Sequence, residues 1–66
     1  MWEIDERLDG CTVWTRVGAG GVREWSVTTN WDDGTAVEPR MAGVLNREAA
    51  MLMYRDERAS RVSDDA

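Results

Sequence analysis

Three turn signals cut the first part of this chain into pieces too short for ordinary helices: Asp9-Gly10, Gly18-Ala19-Gly20-Gly21 and Asp32-Asp33-Gly34. Glycine takes up the positive φ of a tight turn without steric cost, and Asp-Gly is a preferred pair for a two-residue hairpin loop. The pieces between the turns are rich in Trp, Val, Ile and Thr, which suit a pleated, half-buried surface. From Arg47 to about Ser60 the character changes to Ala, Leu, Met, Glu and Arg without Gly or Pro. Asn46 stands before that stretch as an N-cap, and Glu48 lies in its first turn, where the helix dipole favours an anion. The expected fold is therefore α+β, a three- or four-stranded antiparallel β-meander packed on one C-terminal α-helix. Residues 1–61 are expected to form this single domain, and residues 62–66 a flexible acidic tail.

Registers follow from the turns. With Asp9 and Gly10 as loop residues, Leu8 faces Cys11, Ile4 faces Thr15 and Trp2 faces Val17, all on one side of the sheet. In the longest run, Val22 to Trp31, the residues Trp25, Val27, Thr29 and Trp31 share one parity. Setting Val13 opposite Val27 places Thr15 against Trp25 and Arg16 against Glu24, an apolar face backed by an opposite-charge pair. A shift by one residue sets Arg16 against Arg23, which like-charge repulsion disfavours. Thr35-Ala36-Val37-Glu38 is a candidate fourth strand that Pro39 would confine to the sheet edge. On the helix, Leu45, Ala49, Leu52, Met53 and Ala59 fall on one side and are expected to pack on the apolar face.

A chain of 66 residues buries a smaller share of its surface than a larger domain does, and small chains commonly add metals or disulfides. With one cysteine and no histidine, neither an internal disulfide nor a zinc site of the usual tetrahedral kind can be assembled. The stabilising apolar area must come from the four tryptophans, or from self-association. Cys11 shares the parity of Val13 and Val17, which places it inward as an inert thiol rather than a reactive one.

The residues also exclude most catalytic chemistry. Without histidine, acid/base work would fall to carboxylates, and these cluster in turns and on the helix surface, at Asp32-Asp33, Asp56-Glu57 and Asp64-Asp65, where solvent keeps them ordinary. Asp32-Asp33-Gly34 lacks the alternating ligands of a calcium loop. The glycine run joins two strands and has no helix N-terminus on which to seat a phosphate. No enzyme activity, no cofactor and no metal site are expected. The net charge of −5, with every basic residue an arginine, disfavours nucleic acid and anionic membrane surfaces as partners. No run is long and apolar enough to span a bilayer, and the acidic first residues do not resemble a signal peptide, so a cytoplasmic location is expected.

What remains is binding. Trp14 has the parity opposite to Val13 and Thr15, which places it on the outer sheet face beside Arg16. Tyr54 falls opposite Leu45 on the helix, and Met51 lies among Arg47, Arg55 and Arg58. Exposed Trp, Tyr, Met and Arg are what protein interfaces enrich. The partner-binding set is thus Trp14, Arg16, Arg47, Met51, Tyr54, Arg55 and Arg58. The function expected is that of a small acidic interaction module, in the form of a homodimer or of an inhibitor or regulator of a larger protein, as in accessory proteins of phages and mobile elements. The alternative is a nucleic-acid-binding sheet that stacks bases on Trp14 and meets phosphates with Arg16 and Arg23.

Overall fold

The computed structural model describes residues 1–65, with side chains described through Ala59. The expected α+β meander is what forms. Strands β1 (Glu3–Leu8), β2 (Cys11–Val17) and β3 (Arg23–Thr29) make one antiparallel sheet in the order β1-β2-β3. A short 3-10 turn, Ala19–Gly21, links β2 to β3, and helix α1 (Arg47–Asp65) follows a long irregular connection. The helix continues past the expected end near Ser60, taking in positions 62–65 of the expected tail; Ala66 lies outside the described residues. Asn46 caps it as expected, its Oδ1 accepting from the N–H of Glu48 at 2.8 Å and of Ala49 at 3.2 Å.

The β2–β3 register is the expected one, pairing Val13 with Val27, Thr15 with Trp25 and Arg16 with Glu24. The β1–β2 hairpin begins as expected with Leu8 against Cys11 but departs at Asp5, where a bulge interrupts the ladder between Ile4 and Glu6. An extra residue in one strand reverses the side-chain alternation beyond it. Ile4 consequently pairs with Trp14 rather than Thr15, and Trp2 moves to the face of Trp14. There the Trp2 ring lies under the Arg16 guanidinium, 4.2 Å from centroid to Cζ.

That face is an interior surface. Trp2 is 6% and Trp14 8% exposed, which corrects the expectation of an outward-facing Trp14. Its cover includes the connection between β3 and α1, which follows β3 from Val37, beside Thr28, to Gly43 and Val44, beside Trp2 and Trp25, and does not form the candidate fourth strand at 35–38. The Trp14 indole N–H donates to Thr28 Oγ1 at 2.8 Å, and the Thr28 hydroxyl donates on to the Val37 carbonyl at 2.6 Å. Thr12 Oγ1 donates to Asn30 Oδ1 at 2.8 Å on the same face. Burying two indoles contributes on the order of 10 kcal/mol of apolar transfer free energy before the entropy of ordering the chain is subtracted.

The connection ends on the outer edge of β3, where the Trp25 N–H donates to the Val44 carbonyl and the Val44 N–H to the Trp25 carbonyl, both at 2.8 Å. Gly43 is required for that approach. A Cβ there would collide with the Trp25 carbonyl oxygen and stand 2.8 Å from the Trp2 ring.

Helix α1 covers the opposite face, packing chiefly on β3. Its inward residues are Arg47, Ala50, Met51 and Tyr54, spaced i, i+3, i+4, i+7. Ala50 is buried, while Leu52 is 58% and Met53 53% exposed, so the helix is rotated from the phase its larger apolar residues suggested. Two features set that rotation. The small Ala50 lets the helix approach the sheet, and Arg47 is held by Asp5 at 3.0 Å and Glu6 at 2.7 Å. Val13 and Cys11 lie buried on this face, the free Cys11 thiol inward as expected. Strand β3 ends at Thr29, and Trp31 leaves the sheet to stand 63% exposed at the turn that follows.

Candidate functional site: the open edge of strand β3

Both faces of β2 are thus covered by the chain itself, while β1 stays exposed from Glu3 to Arg7. A groove of about 380 Å³ lies along the outer edge of β3. Its floor is Trp25 to Thr28. One wall is the connection, with Val37, Pro39, Met41 and Val44, and the other is the helix, with Ala50, Met53 and Tyr54. Arg40 and Glu57 supply charge at the lining.

The main chain of the floor gives the groove its chemistry. In an antiparallel ladder the N–H and C=O of alternate residues turn to the same side. Trp25 uses its outward pair on Val44, so Val27 and Thr29 turn theirs to the same outer edge. Among the described residues of β3, Trp25 has main-chain partners on that edge while Val27 and Thr29 have none; past the strand, Trp31 is paired with Thr35 and Gly34. Two consecutive pairing positions are therefore open, the first on the groove floor and the second just past its end. An unpaired strand edge is a template for another extended chain, since its donors and acceptors already stand at ladder spacing.

The expected partner-binding residues divide into three groups. Trp14 and Arg16 are withdrawn: Trp14 is buried, and Arg16 is ion-paired with Glu24 and stacked on Trp2. Arg23, invoked with them for nucleic acid, donates to Thr15 Oγ1 at 3.1 Å. The stacking platform that the nucleic-acid alternative required is therefore not present on the surface. Arg47 joins the helix to β1 by donating to Asp5 and Glu6, and within the helix it donates to the sulfur of the half-buried Met51. The Asp5 hydrogen bond, reinforced by Glu6, raises the already high pKa of Arg47. Tyr54, Arg55 and Arg58 remain accessible. The Tyr54 hydroxyl accepts from Thr29 Oγ1 and from Arg58, each at 3.1 Å, and borders the groove at its Thr29 end. Arg55 is exposed on another flank of the helix.

Sequence reasoning missed Val27, Thr29, Val44 and Met53 as site residues. The available signal is the pair Pro39 and Gly43 in a segment too long for a hairpin loop, which marks an irregular connection rather than a regular strand. No three His, Cys, Asp or Glu residues gather into a metal site among the described residues, and no described helix is long and apolar enough to cross a membrane. Comparison with protein-family models, with curated proteins and with solved structures finds no match to this chain.

Proposed function

We propose that this chain is a protein-interaction module that takes an extended segment of a partner protein as an added strand on the outer edge of β3. The observation that carries this is the pair of outward main-chain positions on β3, Val27 on the floor of an apolar groove and Thr29 next along the strand, beside the lining residue Tyr54. Main-chain hydrogen bonds, each worth about 0.5–1.5 kcal/mol net, would supply affinity. The alternate side chains of the guest would enter the space between Met53 and Tyr54 on one side and Val37 and Met41 on the other, and would supply specificity. The net charge of −5 favours a guest carrying basic residues and speeds its encounter. A module of this kind needs no catalytic group. It acts by occupying a segment of a larger protein, which is how a small inhibitor or regulator works.

The test is selection of binders from a displayed library of random linear peptides, followed by amide-shift mapping of the best peptide on the chain. The expected peptides alternate apolar residues, and their largest shifts fall at Val27, Thr29, Met53 and Tyr54. Thr29→Pro removes one outward N–H without touching the β2 ladder, and it should weaken the selected peptide at least tenfold while circular dichroism stays that of the parent. Peptides whose shifts map elsewhere, and whose affinity ignores Thr29→Pro, would refute strand addition.

A further inference from the structure

A second surface lies on the other flank of α1. Glu48, Met51, Leu52 and Arg55 line a shallow depression there, spaced i, i+3, i+4, i+7. At about 100° per residue the four span an arc of roughly 100°. Met53 and Glu57, which line the groove at β3, lie on the opposite flank. Met51 is half-buried at the base of the strip and Leu52 is 58% exposed. The strip has an apolar centre, an acid at its N-terminal end and a base at its C-terminal end.

From this order of residues we infer that the strip is the contact face of a symmetric dimer, in which α1 of a second copy lies antiparallel across it. An isologous interface must be complementary to itself under a two-fold rotation. An axis passing between Met51 and Leu52 meets that condition: each Met51 faces the other copy's Leu52, and each Glu48 faces the other copy's Arg55. The antiparallel arrangement thus makes two opposite-charge pairs around a core of four apolar side chains. A parallel arrangement sets Glu48 against Glu48 and Arg55 against Arg55, which excludes it. The contact is small beside the roughly 800 Å² per partner of a standard interface, so the dimer is a reversible one. It leaves the β3 groove unobstructed and does not rest on the proposal made for that groove, except that two copies present two grooves and bind a bivalent partner with avidity.

The test is sedimentation equilibrium of the whole chain up to about 1 mM, the range in which so small an interface is populated. The parent is expected to dimerise reversibly. Arg55→Glu opposes Glu48 of the other copy at both ends of the interface and should raise the dissociation constant about tenfold, as the loss of two exposed pairs and their replacement by repulsion implies. Adding Glu48→Arg to Arg55→Glu exchanges the charges and restores complementarity, bringing the constant back toward that of the parent. Dilution of the unaltered chain, followed by amide shifts, reads the same surface without any substitution: the shifts should centre on Glu48 to Arg55. A parent that stays monomeric to 1 mM, a double variant no tighter than Arg55→Glu, or dilution shifts centred elsewhere would each overturn the inference.

Discussion

Substituting Gly43 with alanine tests whether the connection between β3 and α1 is seated as described. The added Cβ would overlap the Trp25 carbonyl and press on the Trp2 ring at 2.8 Å. The Trp25 contact is with backbone inside a ladder, so the strand cannot yield, and the 43–44 segment must withdraw. Withdrawal loses the two hydrogen bonds between Trp25 and Val44, about 1–3 kcal/mol together. It also uncovers part of Trp2, and exposing some 40–60 Å² of an indole costs about 1–1.5 kcal/mol more. The expected loss is about 2–4 kcal/mol. For a chain of 66 residues, total stability is on the order of 3–10 kcal/mol, so Gly43→Ala should remove a large share of it. Urea unfolding followed by tryptophan fluorescence measures this directly. Gly20→Ala is the control, since Gly20 has φ of 75° but nothing within 4 Å of an added Cβ; it should cost only about 1–2 kcal/mol of backbone strain. A Gly43→Ala chain within about 0.5 kcal/mol of the parent, inside the range of ordinary surface changes, would refute the seating of residues 43–44 against β3.

Three more outcomes are expected. Thr28→Val removes the acceptor of the buried Trp14 indole and the donor to the Val37 carbonyl, and should cost about 2–3 kcal/mol by the same urea assay, because two polar groups lose their partner. Arg47→Ala should lower stability by a small margin in the same assay, since its pairs with Asp5 and Glu6 are partly exposed, and raised salt should shrink the difference from the parent. The Asp33 carboxylate accepts from the Thr35 side chain and N–H, which lowers its pKa from the ordinary 3.8. A depressed carboxylate pKa gives stability that is present above the unfolded value and lost as pH falls through the folded one. Asp33→Asn should therefore flatten the acid limb of the stability curve below about pH 4, the region of the ordinary carboxylate pKa, and leave the neutral region unchanged in slope.

The elements were legible because their signals are local. Asp9-Gly10 and the glycine run each define a chain reversal whatever lies around them, and Asn46 can cap α1 with its own side chain and the two N–H groups beside it. The β2–β3 register was also readable, since Arg16 and Glu24 on one face and Val13 and Val27 on the other agree on one alignment. The bulge at Asp5 was not, because nothing in Glu3 to Leu8 distinguishes an alternating strand from one with an extra residue. What makes the bulge favourable is distant: Asp5 reaches Arg47, and Trp2 is delivered to the Trp14 face.

The site was legible only in part. Tyr54, Arg55 and Met51 stand out in the sequence as helix residues outside the expected core, and Tyr54 borders the groove while Met51 and Arg55 line the other flank of α1. The groove itself is absent from any window of sequence, since its floor, its two walls and its open edge come from residues 25–57 brought together by packing. The sequence by itself determined the strands, the turns, the cap and the absence of histidine-based chemistry, each of which depends on neighbours along the chain. Which face of each element is buried was decided only by the tertiary structure. A one-residue bulge inverts a strand, a small Ala50 and a tethered Arg47 rotate a helix, and a connection that needs Gly43 to pass turns an apparent outer tryptophan into core.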